Sequence, residues 1–428
     1  MAVSPPAASW TPRLIEPGEL QAAIDLTAVA FGAGPRAPDD YRKQSTLIGE
    51  PDRTFVVDDG DVLVGTAATF SLALALPGGG SVPLAGVTGV GVSPTHRRRG
   101  VLRALMEAVH DQARDRGEPI AGLTASEGGI YRRFGYGVAA RFHSVTVDRA
   151  NAAEVDPQSV ADNSAAAGDP GRVRLVSEAE ADLVLPVVFD RYWTRVPGEV
   201  RRPAAWWDML ALDVEHDRDG ASARFVAVHD DAEGSPDGFA IYRIKQGWGS
   251  GRPLPHELRI ESIAAANDGA EAALLRFLLG VDLVATVEWA AAPVDLPLRW
   301  RLANPRAVRV TAEYDHLWLH PFDVAACLSA RRYAVDGGCV IEVVDGPVGR
   351  TGGPLRLEGG IDGAECAATD AEPDLVVGLA DLGALLLGGV SWATLRRAGL
   401  VEERTPGAIG RADAMFRPDR APYCSTDF

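Results

Sequence analysis

Nowhere does the chain contain about eighteen consecutive apolar residues, so no membrane-spanning helix is predicted. Cysteine is sparse, and Cys327, Cys339, Cys366 and Cys424 form no C-x-x-C pair. That usage fits reduced core thiols better than a disulfide framework or a zinc site. Histidines are scattered without metal-ligand spacing, so no metal is expected. Lysine is almost missing, represented by Lys43 and Lys245 alone, which leaves arginine as the basic side chain. The opening Met1-Ala-Val-Ser-Pro-Pro lacks a basic region followed by an apolar one, so no secretory signal is expected and a cytoplasmic protein is. Positive charge is also in deficit, with a formal net charge of −17. Nucleic-acid binding needs a basic face that neutralises phosphates, and this balance argues against it. An acidic surface suits cationic small-molecule amines or lysine side chains, and it serves plain solubility equally well.

What is present is enough to fold. The 428 residues are 46% hydrophobic with a mean hydropathy of −0.01, which predicts two or three globular domains. The fold class read from the element order is α/β (α+β), divided at 1–150, 151–304 and 305–428.

In the first part a strand at 13–15 and a helix over 20–31 precede β-rich runs at 54–57 and 62–76. These runs are separated by the hairpin-type Asp58-Asp-Gly-Asp61. A strand over 82–92 is interrupted by Gly86, Gly89 and Gly91, a sign of a bulge or a close backbone approach. A helix over 99–116 carries Leu102, Leu105, Met106 and Val109 on one face and ends at Gly117. Strands at 119–124 and 141–147 flank a short helix bearing Tyr131. Residues 151–171 are Ala-, Asp-, Ser- and Pro-rich without periodicity and read as a linker. The second part has strands near 172–175, 224–228, 238–244 and 258–263, with helices near 178–192, 203–212 and 269–279. Its order weakly echoes the first part, but no phosphate turn recurs. The third alternates strands at 308–319, 339–344 and 354–357 with helices at 322–330, 379–387 and 392–398.

Chemistry concentrates in two segments. Val90-Gly-Val-Ser-Pro-Thr-His-Arg-Arg-Arg-Gly100-Val runs from a β-strand through a basic turn into a helix. Helix-start N–H groups are unpaired and the macrodipole places partial positive charge there, a device that holds a pyrophosphate. Three arginines at that end oppose the dipole and need an anion to justify them. Arg97, Arg98 and Arg99 would contact phosphates, while Gly100 removes a Cβ where a phosphate must approach. The bland reading is a basic cap on a surface helix. The second segment is Ala125-Ser-Glu-Gly-Gly-Ile-Tyr131-Arg-Arg-Phe-Gly-Tyr-Gly137.

The turn resembles the Arg/Gln-x-x-Gly-x-Gly/Ala motif of GNAT N-acetyltransferases at Arg97 and Gly100, with Leu102 in place of the usual small residue. Thr-His-Arg-Arg-Arg-Gly, the Tyr131 block and the three-part layout are closely similar to the Eis acetyltransferases. The middle third matches by layout only. The resemblance implies a GNAT domain binding acetyl-CoA, a second GNAT-like domain without coenzyme, and a sterol-carrier-protein-like domain whose C-terminus reaches the active site. It further implies a homohexamer that acetylates several amines of aminoglycosides and can modify lysines.

Aminolysis of a thioester needs a neutral amine, a polarised carbonyl and a proton for the departing thiolate. By the resemblance Tyr131 is the acid, and its phenol suits a thiolate of similar basicity. Tyr136 reads as a packed turn residue. Backbone N–H groups of Val90, Gly91 and Val92 would polarise the carbonyl, Val101 would continue the phosphate turn, and Ser126 would bind coenzyme or substrate. The Phe428 carboxylate is the implied base, although a carboxylate is a weak direct base and would relay through water. Its alternative is an apolar ring packed in a groove. Phe31, Trp206 and Asp427 are expected at the substrate, with Asp39, Asp40 and Trp207 as further pocket candidates. His96 reads as a cap or packing residue. Two rivals remain: acetylation of protein lysines or metabolite amines, and a lipid-binding scaffold with a relic coenzyme site.

Overall fold

A computed structural model describes residues 10–33, 50–153, 171–249, 252–344 and 353–428. Asp39, Asp40 and most of the expected linker at 151–171 lie outside the described residues.

Along the chain run β1 (Arg13–Leu14), α1 (Leu20–Ala30), β2 (Thr54–Asp59), β3 (Val62–Ala75), β4 (Ser81–Val92), α2 (Val101–Asp115), β5 (Ile120–Thr124), the one-turn α3 (Gly128–Tyr131) and β6 (Gly137–Val138). There follow β7 (Arg141–Asp148), β8 (Arg172–Leu175), α4 (Glu178–Tyr192), α5 (Ala204–Ala211), β9 (Phe225–Asp230), β10 (Pro236–Gly249), β11 (Arg252–Ala265), α6 (Asp268–Leu279), β12 (Val284–Pro293), α7 (Leu298–Arg301) and β13 (Val308–Asp315). The remainder comprises β14 (Leu317–Pro321), α8 (Val324–Ala330), β15 (Gly337–Val344), β16 (Pro354–Gly359), β17 (Ala364–Ala368), β18 (Leu375–Gly378), α9 (Leu379–Leu385), α10 (Trp392–Arg397), β19 (Val401–Glu403) and α11 (Ala408–Phe416).

These elements form two compact units. The first takes the chain up to Ala139, then Leu317–Arg417 and Thr426–Phe428. It holds a seven-stranded sheet in the order β1-β2-β3-β4-β5-β14-β6 and a five-stranded sheet in the order β17-β16-β15-β18-β19. The expected hairpin at Asp58–Asp61 joins β2 to β3, with Gly60 at φ +65°. The stretch 308–319, expected as one strand, is two. His316 N–H donates to Ala140 O, whereas Ala139 N–H donates to Leu317 O, so each half finds its own partner. Leu317–Pro321 then pairs with β5 on one side and β6 on the other.

Helix α2 covers this sheet because Val101, Leu105, Met106, Val109 and Ala113 recur at helical spacing and are all buried. Truncating Leu105 or Met106 to Ala would cost about 2–5 kcal/mol. Near the five-stranded sheet Arg331 is buried between the rings of Tyr333 and Phe416, at 4.6 and 4.4 Å, and donates to Leu386 O and Phe416 O. Its charge is thereby compensated by carbonyls and aromatic faces.

The second unit comprises Ala140–His316 and Pro418–Ser425, with one sheet in the order β13-β7-β12-β11-β10-β9-β8. The strand β12 was not anticipated. It pairs parallel to β11, from His256↔Val284 to Ile260↔Trp289, and α6 connects the two. In the first unit β4, α2 and β5 repeat that parallel strand–helix–strand arrangement. The helix starts differ. Asn267 caps α6 by accepting from Ala270 N–H, and Asp268 and Glu271 occupy its first turn. Arg420 donates to Glu271 at 2.8 Å and lies 3.7 Å from Asp268. Beside this pair lies a cavity of about 270 Å³ whose lining includes Ile263, Trp289, Asp295 and Tyr423. At the corresponding end of α2 stand arginines, with no acidic residue in the first turn.

Candidate active site

Strands β4 and β5 pair only from Leu84↔Ile120 to Gly86↔Gly122. Beyond those residues no further β4–β5 pairs form, and β4 continues to Val92. Its register against β3 slips between Thr66↔Gly91 and Ala68↔Thr88, which makes a bulge at Gly89 and Val90. Gly89 takes φ +56°, a conformation glycine adopts without strain. Such a bulge turns backbone groups out of the ladder beside the opening between the strands. Gly91 is buried, and a Cβ there would meet Thr27 Cα at 3.3 Å and Ala30 Cβ at 3.4 Å. Its missing side chain lets α1 approach the sheet. Val90 and Val92 are half-buried.

The basic turn follows. Arg98 adopts φ +61° and Gly100 φ +92°, and Gly100 opens α2 with no side-chain cap. Left-handed residues interspersed in a turn gather successive N–H groups into an anion-binding concavity. A left-handed arginine is also uncommon and strained. Gly100 explains why α2 starts at Val101 rather than at the expected Arg99. Arg97, Arg98 and Arg99 are exposed and form no ion pair with a carboxylate among the described residues. Arg97 donates to Ala30 O at 3.0 Å, and Trp10 Nε1 donates to Arg99 O at 2.7 Å. Val101 is buried, and a Cβ on Gly65 would come within 2.5 Å of it. His96 is tied to Thr95 at 2.8 Å and to Asp59 at 2.9 Å, a packing role within the turn.

Tyr131 is 7% exposed and meets Tyr136 edge-on, with ring centroids 6.0 Å apart. Burial, reinforced by nearby Glu127, pushes its phenol up to about 12, so it stays protonated at neutral pH. Behind it Tyr136 is fully buried and hydrogen-bonds His110 Nε2 at 2.9 Å. Burial above all, with neighbouring His320 and Arg114 adding, pushes His110 down to about 2. That imidazole is neutral.

Thr124 ends β5, and its Oγ1 donates to a backbone oxygen of Phe428 at 3.0 Å. Phe428 is 7% exposed, and a Cβ on Gly86 would lie 3.2 Å from its ring. The first unit thus holds the bulge, the basic turn, Tyr131 and Phe428, with Phe428 at Thr124 and Gly86 and Tyr131 in the core cluster of Val87 and Leu123, against which Val90 and Ala125 pack. Ser126 and Asp427 are exposed, and Phe31 is 56% exposed at the end of α1. Trp206 belongs to the second unit and is only 3% exposed, and Trp207 is half-buried against Phe189. Gly86 fits the close approach expected of it, whereas Thr124 and His110 carried no signal in the sequence. Nothing local marks Thr124, whose partner lies 304 residues away.

Comparison with known proteins gives this geometry a context. Residues 11–139 and 198–317 each match an acetyltransferase (GNAT) domain family, and 324–425 match the sterol carrier protein domain. An uncharacterized N-acetyltransferase of Streptomyces avermitilis is 37% identical over 94% of this chain and 96% of its own length. The N-acetyltransferase Eis of Mycobacterium bovis is 35% identical over 92% of this chain and 93% of that protein. The crystal structure of Eis1 from Mycobacterium abscessus superposes with a TM-score of 0.83 at 33% identity, covering 97% of this chain and all of that one. The tandem GNAT folds, the sterol-carrier-like fold and these relatives together show that the chain is an acetyltransferase belonging to the Eis N-acetyltransferase family.

Proposed function

We propose that the chain moves the acetyl group of acetyl-CoA to primary amines of polycationic small molecules, aminoglycosides among them, by direct attack in a ternary complex. The observation that carries this reading is the Thr124–Phe428 hydrogen bond. It ties Phe428 to the end of β5, on the sheet whose strand β4 carries the bulge and leads into the basic turn.

The residues of the turn fit acetyl-CoA, the co-substrate that the GNAT fold implies. Arg97, Arg98, Arg99, Gly100 and Val101 hold its phosphates, and the backbone of Val90, Gly91 and Val92 faces its carbonyl. Ser126 binds coenzyme or substrate. Acetyl-CoA supplies an activated acyl group, whose carbon bonds to the amine nitrogen as the carbon–sulfur bond breaks. Tyr131, kept protonated by burial, gives its proton to the sulfur. The Phe428 carboxylate attracts the incoming ammonium and takes one proton from it through a water, and the second proton, shed as the amide forms, returns through solvent to the Tyr131 phenolate. Asp427, exposed next to it, anchors a second ammonium, and Phe31 supplies an aromatic edge. The net charge of −17 favours such cations.

The deciding experiment is thiol release from acetyl-CoA with tobramycin-like amines, compared with lysine-containing peptides. Faster turnover on peptides would move the substrate to protein lysines. No thiol release with any polyamine, while a lipid co-purifies, would favour a carrier. A homohexamer in the cytoplasm belongs to the same proposal, and light scattering on the purified protein tests the assembly.

A further inference from the structure

Tyr131 sits at the end of the one-turn α3, and the seven residues from Tyr131 to Gly137 close on themselves. Tyr136 N–H donates to Tyr131 O at 3.3 Å, and Gly135 N–H donates to Arg132 O at 3.0 Å. Both ends of this turn are held by a single element from the C-terminal part of the chain. At one end Arg132 Nη2 donates to both carboxylate oxygens of Asp381 on α9, at 2.8 and 2.9 Å. At the other, the backbone of β6 lies directly on that of α9. A Cβ on Gly137 would fall 1.7 Å from Ala380 O, and one on Gly383 would fall 3.4 Å from Gly137 N.

The ion pair is asymmetric. The Arg132 side chain keeps 51% of its exposure, whereas that of Asp381 keeps only 8%. A freely exposed pair contributes little, because water and salt screen it. Here the carboxylate is already fixed in the first turn of a helix, where the dipole favours it. The arginine must come to it, and the turn comes with the arginine. Tyr131 is the residue immediately before.

We infer that Asp381 is a positioning residue for acetyl transfer, acting through Arg132 to fix the phenol of Tyr131. The inference rests on the assignment of Tyr131 as the acid. It gives the sterol-carrier-like fold a part in the chemistry that does not involve lipid. Reacting groups tolerate displacements well below 1 Å before rates fall by orders of magnitude. A turn clamped at both ends supplies that restraint.

The test uses the full-length chain and a double-mutant cycle. Asp381→Asn should lower kcat about 5- to 30-fold, with the Kd for acetyl-CoA unchanged within about twofold. Exchanging the pair, Arg132→Asp with Asp381→Arg, should recover most of the lost rate. Placed on Tyr131→Phe, the Asp381→Asn change should have no further effect, because its route of action is already gone. Arg132→Gln should repeat the loss, and it serves if Asp381→Asn does not fold. An undiminished kcat in both single variants, or equal loss with and without the phenol, overturns the role of Asp381 and leaves Tyr131 as the acid. Full activity of Tyr131→Phe overturns the acid assignment itself, and the positioning role with it.

Discussion

Thr124 Oγ1 donates a hydrogen bond of 3.0 Å to a backbone oxygen of Phe428, joining the end of a strand to a residue 304 positions further on. Hydrogen bonds to charged acceptors contribute about 1.5–3 kcal/mol. Thr124→Val keeps the shape and removes the donor. Steady-state kinetics should show kcat/KM for the amine falling roughly tenfold, the equivalent of about 1.4 kcal/mol. Affinity for acetyl-CoA should not change. A glycine appended after Phe428 should be more damaging, because it displaces the carboxylate outright. Full activity of the extended chain would remove Phe428 from the chemistry.

Tyr131→Phe deletes one hydroxyl from a buried ring. Turnover should drop by about 10²-fold or more, the usual contribution of a positioned acid, while calorimetry finds acetyl-CoA binding intact. The raised phenol carries a sign. Its folded value, about 12, lies above the ordinary 10, so the protonated acid persists through the whole neutral and mildly alkaline range. A pH–rate profile should therefore show no loss from this group below about pH 11. An alkaline limb near pH 10 that disappears in Tyr131→Phe would contradict the effect of burial.

Arg98 separates strain from ligand contact. Its φ of +61° costs a non-glycine residue about 1–2 kcal/mol. Arg98→Gly and Arg98→Ala both remove the guanidinium, but only the glycine relieves the backbone. Both variants should lose acetyl-CoA affinity alike, and thermal melts should place the glycine variant about 1 kcal/mol above the alanine one, less the entropy glycine gains on unfolding. Unaltered affinity in both would return the arginine to the role of a surface cap.

His110 and His320 predict how the first unit responds to acid. Their ring centroids are 4.8 Å apart and the rings lie nearly parallel. Burial pushes His110 down to about 2 and His320 down to about 4, both below the ordinary 6.5. Between the folded and unfolded values the unfolded chain binds more protons, so stability rises with pH. Acidification from 6.5 should therefore cost about 1.4 kcal/mol per pH unit for each imidazole, His320 contributing down to about 4 and His110 further. Denaturant titrations from pH 7 to 5 should show this slope, and His320→Phe should flatten it.

Local pattern carried much of the architecture. The spacing of Val101, Leu105, Met106 and Val109 specifies α2, and Asp58-Asp-Gly-Asp61 specifies its hairpin, since both depend on neighbours in sequence. The basic turn was legible because three arginines at a helix start contradict the dipole. What stayed hidden depends on distant partners. Leu317–Pro321 enters the first sheet between β5 and β6, a placement set by packing rather than by its own composition. The strand β17 reads Ala-Glu-Cys-Ala-Ala, a sequence with little β-propensity, and takes its state from pairing with β16. Asp381 and Thr124 bear no local mark of their contacts. Adjacent tryptophans on a helix point to different faces, so at most one of Trp206 and Trp207 is expected at a pocket. The structure turns Trp206 inward.

The carboxylates that open α6 give its start a charge opposite to that at the start of α2. An anion approaching the start of α6 would meet Asp268 and Glu271, both already engaged with Arg420. The start of α2 carries no such carboxylate, so of these two helix starts it is the one whose charge suits a phosphate.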